Sequence, residues 1–195
     1  MGGVCLELHN ERYAVLSSVE VTPLLDQYDV VHNTENIDTN AYFMARIFHI
    51  MRSDGHSLKV ALLDLICSSY EPYAALDGNI LTTILFSSIV RIDMDTGLLV
   101  QHKQCDNMGG LFEIHPIEGG YLIWGEGDIF RYDLTLKRVW HFMGRDILVS
   151  LHGNQHFWVQ NAEIHCRDFS GYHYVLDFDG KLIYNFREYD DAETS

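Results

Sequence analysis

A repeat of about forty residues constrains this chain more than any other feature, because a period between about 20 and 50 residues implies stacked copies of one unit. Four octets stack without gaps: Phe48-His49-Ile50-Met51-Arg52-Ser53-Asp54-Gly55, Val90-Arg91-Ile92-Asp93-Met94-Asp95-Thr96-Gly97, Phe130-Arg131-Tyr132-Asp133-Leu134-Thr135-Leu136-Lys137 and Tyr174-Val175-Leu176-Asp177-Phe178-Asp179-Gly180-Lys181. Their starts lie 42, 40 and 44 residues apart. In the last three, a strand of alternating character runs into a polar or glycine-containing turn. A second strand follows: Leu98 to Gln101, Arg138 to Phe142 and Leu182 to Phe186. This pattern predicts a hairpin, which the first octet repeats with Leu58 to Leu63.

Two further β-like runs precede the later hairpins, such as Leu111 to Ile117 with Gly120 to Trp124, and Ile147 to Leu151 with His156 to Gln160. Turn signals such as Asp77-Gly78, Gly119-Gly120, Gly153-Asn154 and Asp179-Gly180 punctuate the chain, and the runs between them are too short for typical helices. The expectation is four strands per repeat. A four-stranded antiparallel unit recurring every 40 to 44 residues resembles a β-propeller blade, and four units in about 170 residues resemble the haemopexin-like four-bladed propeller. The resemblance rests on strand pattern and period: Trp140 is followed by His141, so no Trp-Asp dipeptide ends that strand, and the Gly55-His56 pair falls in a hairpin turn. The fold class expected is all-β, built of repeated four-stranded antiparallel units in a small four-bladed propeller or propeller-like assembly. Residues 1–187 read as one repeat-built domain and 188–195 as an acidic, frayed tail. The first quarter fits the repeat least. Asn40 before Ala41 to Met51, and Ser57 before Leu58 to Cys67, also have the form of capped helices, but the Ser53-Asp54-Gly55 turn favours strands. Asp26 to Asn40 is polar and aperiodic and reads as a long loop.

Of 195 residues, 47% are hydrophobic, which excludes intrinsic disorder, and no uninterrupted apolar stretch approaches the roughly 20 residues needed to span a bilayer. Against 28 Asp and Glu stand 13 Lys and Arg, a formal net charge of −15. The summed field repels phosphate, so neither nucleic acid nor a membrane surface is an expected partner, whereas a basic protein is. Part of the excess belongs to turns, at Asp54, Asp95 and Asp179, and part to the tail. Cys5, Cys67, Cys105 and Cys166 show no paired spacing, which fits reduced thiols and a cytoplasmic location. The first residues lack the basic and apolar regions of a secretory signal, and Leu6 stands where a myristoylation motif needs Ser or Thr.

The candidate chemistry is fragmentary. Asp93 with Asp95, and Asp177 with Asp179, place paired carboxylates before Gly97 and Gly180, but a calcium loop needs about five ligand positions. Turn carboxylates at Asp93, Asp133 and Asp177 that accept backbone N–H groups are the simpler reading. His152 and His156 flank Gly153-Asn154, a turn across which two rings can meet, yet no third ligand has recognisable spacing, and no metal site is expected. His165 and Cys166 are neighbours on a strand and point to opposite faces. Ser150 and His152 share a face but lack a strained nucleophile turn. Gly125-Glu126-Gly127-Asp128 carries acids where a phosphate cradle would carry none, so it reads as a hairpin turn and no cofactor is expected. Exposed aromatics on a rigid β scaffold anchor partners or stack on sugars, and Trp124, Trp140, Trp158, Tyr121, Tyr172 and Tyr174 form that pool. The reading is a non-catalytic binding module for a basic protein, with Trp124, Trp140, Trp158, Tyr121, Asp93, Asp133 and Asp177 as candidate binding residues. The alternative is a carbohydrate-binding or glycoside-acting protein in which those carboxylates converge with aromatics in a pocket.

Overall fold

The computed structural model describes residues 6–107, 109–150 and 155–188. Two compact units form: one runs to Asp106 and includes Gly110–His115, the other comprises Asn107–Gly109 and the chain from Pro116 onward. Of the acidic tail expected over 188–195, residues 189–195 lie outside the described residues, while Glu188 is held by Arg167 and His173.

The first unit opens with β1 (Leu6–His9), β2 (Tyr13–Val21), β3 (Val30–His32), β4 (Met44–Arg52) and β5 (Ser57–Asp64), arranged in the order β1-β2-β4-β5-β3. Residues 40–67 therefore hold strands, not helices. β3 corrects the reading of Asp26 to Asn40 as a loop: Val30, Val31 and His32 pair in parallel with Val60, Ala61 and Leu62, and a 3-10 turn, Leu25–Gln27, precedes them. The segment is ordered because Leu25, Tyr28 and Val31, with buried Ile37 and Phe43, pack on the Ala45, Ile47, Ala61 and Leu63 face of the sheet. Isolated apolar residues spaced along a polar segment carry no periodicity, so that burial is invisible to pattern reading.

The second sheet runs β6 (Ala74–Asp77), β7 (Ile80–Ile84), β8 (Ser88–Asp93) and β9 (Leu99–Gln104) in sequence order, all antiparallel. The division between the units falls within β10 (Leu111–Ile117), which heads the sheet β10-β11-β12-β13 with β11 (Gly120–Gly125), β12 (Asp128–Asp133) and β13 (Arg138–Met143). The last sheet is β14 (Phe157–Gln160), β15 (Glu163–Arg167), β16 (Tyr172–Leu176) and β17 (Leu182–Arg187), again in sequence order. Sequential antiparallel meanders are what short strands joined by tight turns produce.

The repeat recurs at atomic detail. A β-bulge falls between Arg91 and Ile92, Arg131 and Tyr132, and Val175 and Leu176, the same step of the last three octets. The turn that follows is closed each time by the aspartate's own N–H, which donates to Leu98 O, Lys137 O or Lys181 O at 3.0 Å. In the first unit's β4–β5 hairpin no such register shift is present, and Arg52 takes the aspartate's place, donating its N–H to His56 O at 2.8 Å. Each turn contains a left-handed residue near its end, Gly55 and Gly97 at the eighth octet position with φ of 89° and 71°, Leu136 and Gly180 at the seventh with φ of 56° and 78°. Central strands are covered on both faces: every residue of β11 is buried. That coverage explains why the inner strands read as nearly continuous apolar runs, whereas the outer strand β17 is exposed throughout.

Candidate functional site

The three strand-end carboxylates proposed for binding each serve their own hairpin. Asp93 Oδ1 accepts from Asp95 N, Thr96 N and Thr96 Oγ1 at 2.9–3.0 Å. Asp133 Oδ1 accepts from Thr135 N, Thr135 Oγ1 and Lys137 N at 2.7–3.0 Å, and the Thr135 hydroxyl foremost holds the carboxyl below its ordinary pKa. Asp177 Oδ1 accepts from Asp179 N and Lys181 N at 2.9–3.0 Å. Asp95, the second member of the calcium-like pair, is held by cations of its own unit: Arg12 Nη2 lies 2.9 Å and Arg52 Nη1 3.2 Å away, and the Tyr13 hydroxyl donates to it at 2.8 Å. Among the described residues no group of three His, Cys, Asp or Glu side chains is placed to hold a metal ion.

The aromatic pool divides by burial. Trp124 is wholly buried, its Nε1 donating to Leu148 O at 3.1 Å, and Tyr121 and Tyr174 are also buried, so these side chains build core instead of a contact surface. Trp140 is half-buried. It donates to Phe178 O at 2.9 Å and lies over the Asp177–Gly180 turn, where Arg131 Nη1 reaches the same carbonyl at 2.8 Å. Tyr172 carries the Arg145 guanidinium 4.5 Å above its ring. Trp158 joins a polar cluster that adjacent-residue reasoning did not anticipate. Its ring stacks on His165 at 4.8 Å, and the Arg167 guanidinium covers it at 4.5 Å. His165 Nδ1 lies 3.1 Å from His173 Nε2, and Glu188 joins His173 Nδ1 at 3.0 Å to Arg167 Nε at 2.8 Å. Desolvation leads in lowering the pKa of both histidines. Burial raises the Glu188 carboxyl, but Arg167 and His173 outweigh it and bring it below the ordinary value. The other nitrogen of His165, Nε2, faces Glu163 Oε2 at 3.5 Å, so a carboxylate stands at each end of the histidine pair.

The nucleophile fragments come apart as strand geometry requires. Cys166 is fully buried on the face opposite His165, and desolvation pushes its thiol pKa up, which is the wrong direction for a nucleophile. Ser150 N donates to His156 Nδ1 at 2.8 Å, while His152 lies outside the described residues. Glu126 and Gly127 form the β11–β12 turn, as their sequence implies.

A surface missed by sequence reasoning lies at one end of the first two sheets. Register places Val21 opposite Met44 and Met44 opposite Asp64, so β2, β4 and β5 end together. Asp64 is 2% exposed and gathers two loops: Oδ1 accepts from Leu65 N and Oδ2 from Phe86 N, both at 2.8 Å. Desolvation raises its pKa to about 6 against those donors, which lower it. The residues whose backbone this carboxylate gathers, with the Ile66 that follows, carry apolar, exposed side chains: Leu65 57%, Ile66 55% and Phe86 36%. The signal available in the sequence was the apolar run Leu62-Leu63-Asp64-Leu65-Ile66, which outlasts its strand.

No protein-family model matches the sequence, and no curated protein matches it. Solved structures do. Raptor from Chaetomium thermophilum matches over 77% of this chain and 15% of its own, at 17% identity and a TM-score of 0.52. BamB from Moraxella catarrhalis matches over 77% of this chain and 48% of its own, at 12% identity and a TM-score of 0.48. The computationally designed Ika8 protein matches over 93% of this chain and 60% of its own, at 13% identity and a TM-score of 0.45. The chain thus spans less than two thirds of each of these neighbours. At such identities the likeness, carried by Raptor, concerns the fold, and the fold is all-β and propeller-like: three four-stranded antiparallel sheets, and a first sheet that departs from the expected four strands by adding the parallel β3 as a fifth.

Proposed function

We propose that the chain is a non-catalytic interaction module that binds a basic protein partner in the cytoplasm. One observation carries the reading: Asp93, Asp133 and Asp177, the carboxylates best placed by sequence for chemistry, are each occupied by the N–H groups of their own turn. A carboxylate accepting several such bonds organises backbone and is poorly poised for proton transfer or nucleophilic attack. Charge supplies the partner class. A net charge of −15 on a rigid scaffold favours encounter with cationic proteins and disfavours phosphate-bearing ones. The test is salt-resolved capture. Immobilised protein should retain basic proteins from a cell lysate at about 50 mM salt and release them at about 500 mM, where the screening length falls from about 14 to about 4 Å. A lysate that yields no salt-labile partner overturns the proposal.

A further inference from the structure

We infer that the Leu65–Ile66–Phe86 knuckle of the first unit is the docking surface, and that its occupant is a basic protein segment presenting an apolar side chain between Lys or Arg residues. This rests on the interaction-module reading above and names where and by what chemistry the partner is held. The knuckle is built, not incidental. A buried carboxylate, Asp64, collects the N–H groups of Leu65 and Phe86 from two different loops, and those contacts tie the backbones of two exposed apolar residues to one anchor. Leu111 N donates to Phe86 O at 2.9 Å, so the Phe86 backbone is pinned from a second side, and the Phe86 ring lies against Gly110. Holding large apolar groups in water on a rigid base is what a contact surface requires, because little ordering entropy is then lost on binding.

Charge selects the occupant. Glu71 is exposed in the loop that carries Leu65 and Ile66. Glu35 accepts from Ser88 Oγ at 2.7 Å, two residues beyond Phe86. Asp106 is exposed next to Cys105, whose N–H donates to Ser87 O, and Glu20 adjoins Val21 at the end of β2. Against these acids stand Lys103, near the end of β9, Arg46, which is buried, and His102, whose Nε2 lies 3.3 Å from Glu35 Oε1. An apolar knuckle on a chain of net charge −15, with exposed acids in the loops on either side of it in sequence, repels an acidic segment and leaves a purely polar basic one without contact for Leu65, Ile66 and Phe86. A segment carrying both features satisfies the surface.

The probe is a pair of short synthetic peptides of equal positive charge, one interleaving Lys and Arg with Leu and Trp, the other with Ser replacing every apolar residue. Fluorescence anisotropy at about 100 mM salt should show the apolar-basic peptide binding at least tenfold more tightly than its serine counterpart. In the double variant Leu65→Ser, Ile66→Ser that preference should vanish. Both side chains are more than half exposed, so folding is retained, as circular dichroism checks. Glu71→Lys is the second variant and should weaken both peptides. If the double variant keeps the full preference, the knuckle is not the docking surface and the basic-partner reading survives. If neither peptide binds the unmodified protein, the basic-partner reading fails and this inference fails with it.

Discussion

Asp64 and Arg46 are the two buried charges that the first sheet tolerates, and each tolerates burial differently. The Asp64 carboxylate is satisfied by backbone donors, yet desolvation still raises its pKa to about 6. A carboxyl whose folded pKa lies above its unfolded value near 3.8 binds its proton more tightly in the native state, so its contribution favours folding at low pH. That contribution is lost as pH rises from about 4 through about 6. The amide signals of Leu65 and Phe86 should therefore titrate together near pH 6 in an NMR pH series, and Asp64→Asn should abolish that transition. Arg46 is 1% exposed, its guanidinium 3.6 Å from the Tyr73 ring centroid and its Nη2 donating to Ser68 O at 3.3 Å, but Nε and Nη1 have no hydrogen-bond partner among the described residues. Unpaired buried donors are costly, so Arg46→Met, which keeps the volume over Tyr73, should raise stability by about 1–2 kcal/mol. Arg46→Ala leaves a cavity and should lower stability by about 2–4 kcal/mol, as urea midpoints will report.

At the scale of elements, the hairpin turn is the unit the repeat conserves within the chain, and its tolerance to substitution depends on what lies over it. Gly180 has φ of 78°, and a Cβ there would meet Trp140 Cδ2 at 2.5 Å, whereas Gly55, at φ of 89°, faces open space. Both alanine variants carry the strain of a left-handed side chain, about 1 kcal/mol. Gly180→Ala must in addition displace the indole, which donates to Phe178 O, so it should cost about 2–3 kcal/mol, roughly twice Gly55→Ala, in thermal unfolding. Turn position and most strands were legible beforehand because both follow from nearest neighbours: alternation over five or six residues, then Asp or Gly. Ile147 to Leu151 is the exception: residues 147–150 are irregular, and Glu163–Arg167, whose polar residues mask the period, supplies the strand beside Phe157–Gln160 instead. The parallel β3 was not legible, because its partner is β5, thirty residues on, and three residues are too few to show a period.

For the whole molecule, charge governs behaviour in solution. With a calculated isoelectric point near 4.9, self-repulsion that keeps the chain dispersed at neutral pH disappears in mild acid. Turbidity at low salt should peak near pH 5, and the apolar-basic peptide should lose affinity over the same interval as the carboxylates protonate. What the sequence determined by itself is the repeat: four hairpins at intervals of 40 to 44 residues, their turn carboxylates and the all-β class, since these depend on side-chain period and local turn chemistry. Only the tertiary structure decided which of the aromatics are core and which are surface. Trp124 and Trp158 look alike in a strand pattern, yet one is sealed under Leu148 O while the other packs with His165, His173 and Arg167. It also decided that Asp95 answers to Arg12, 83 residues away, and that Asp64 holds Phe86 beside Leu65. Burial and ion pairing are set by whatever the fold brings near, and no local pattern encodes a neighbour so distant in the chain.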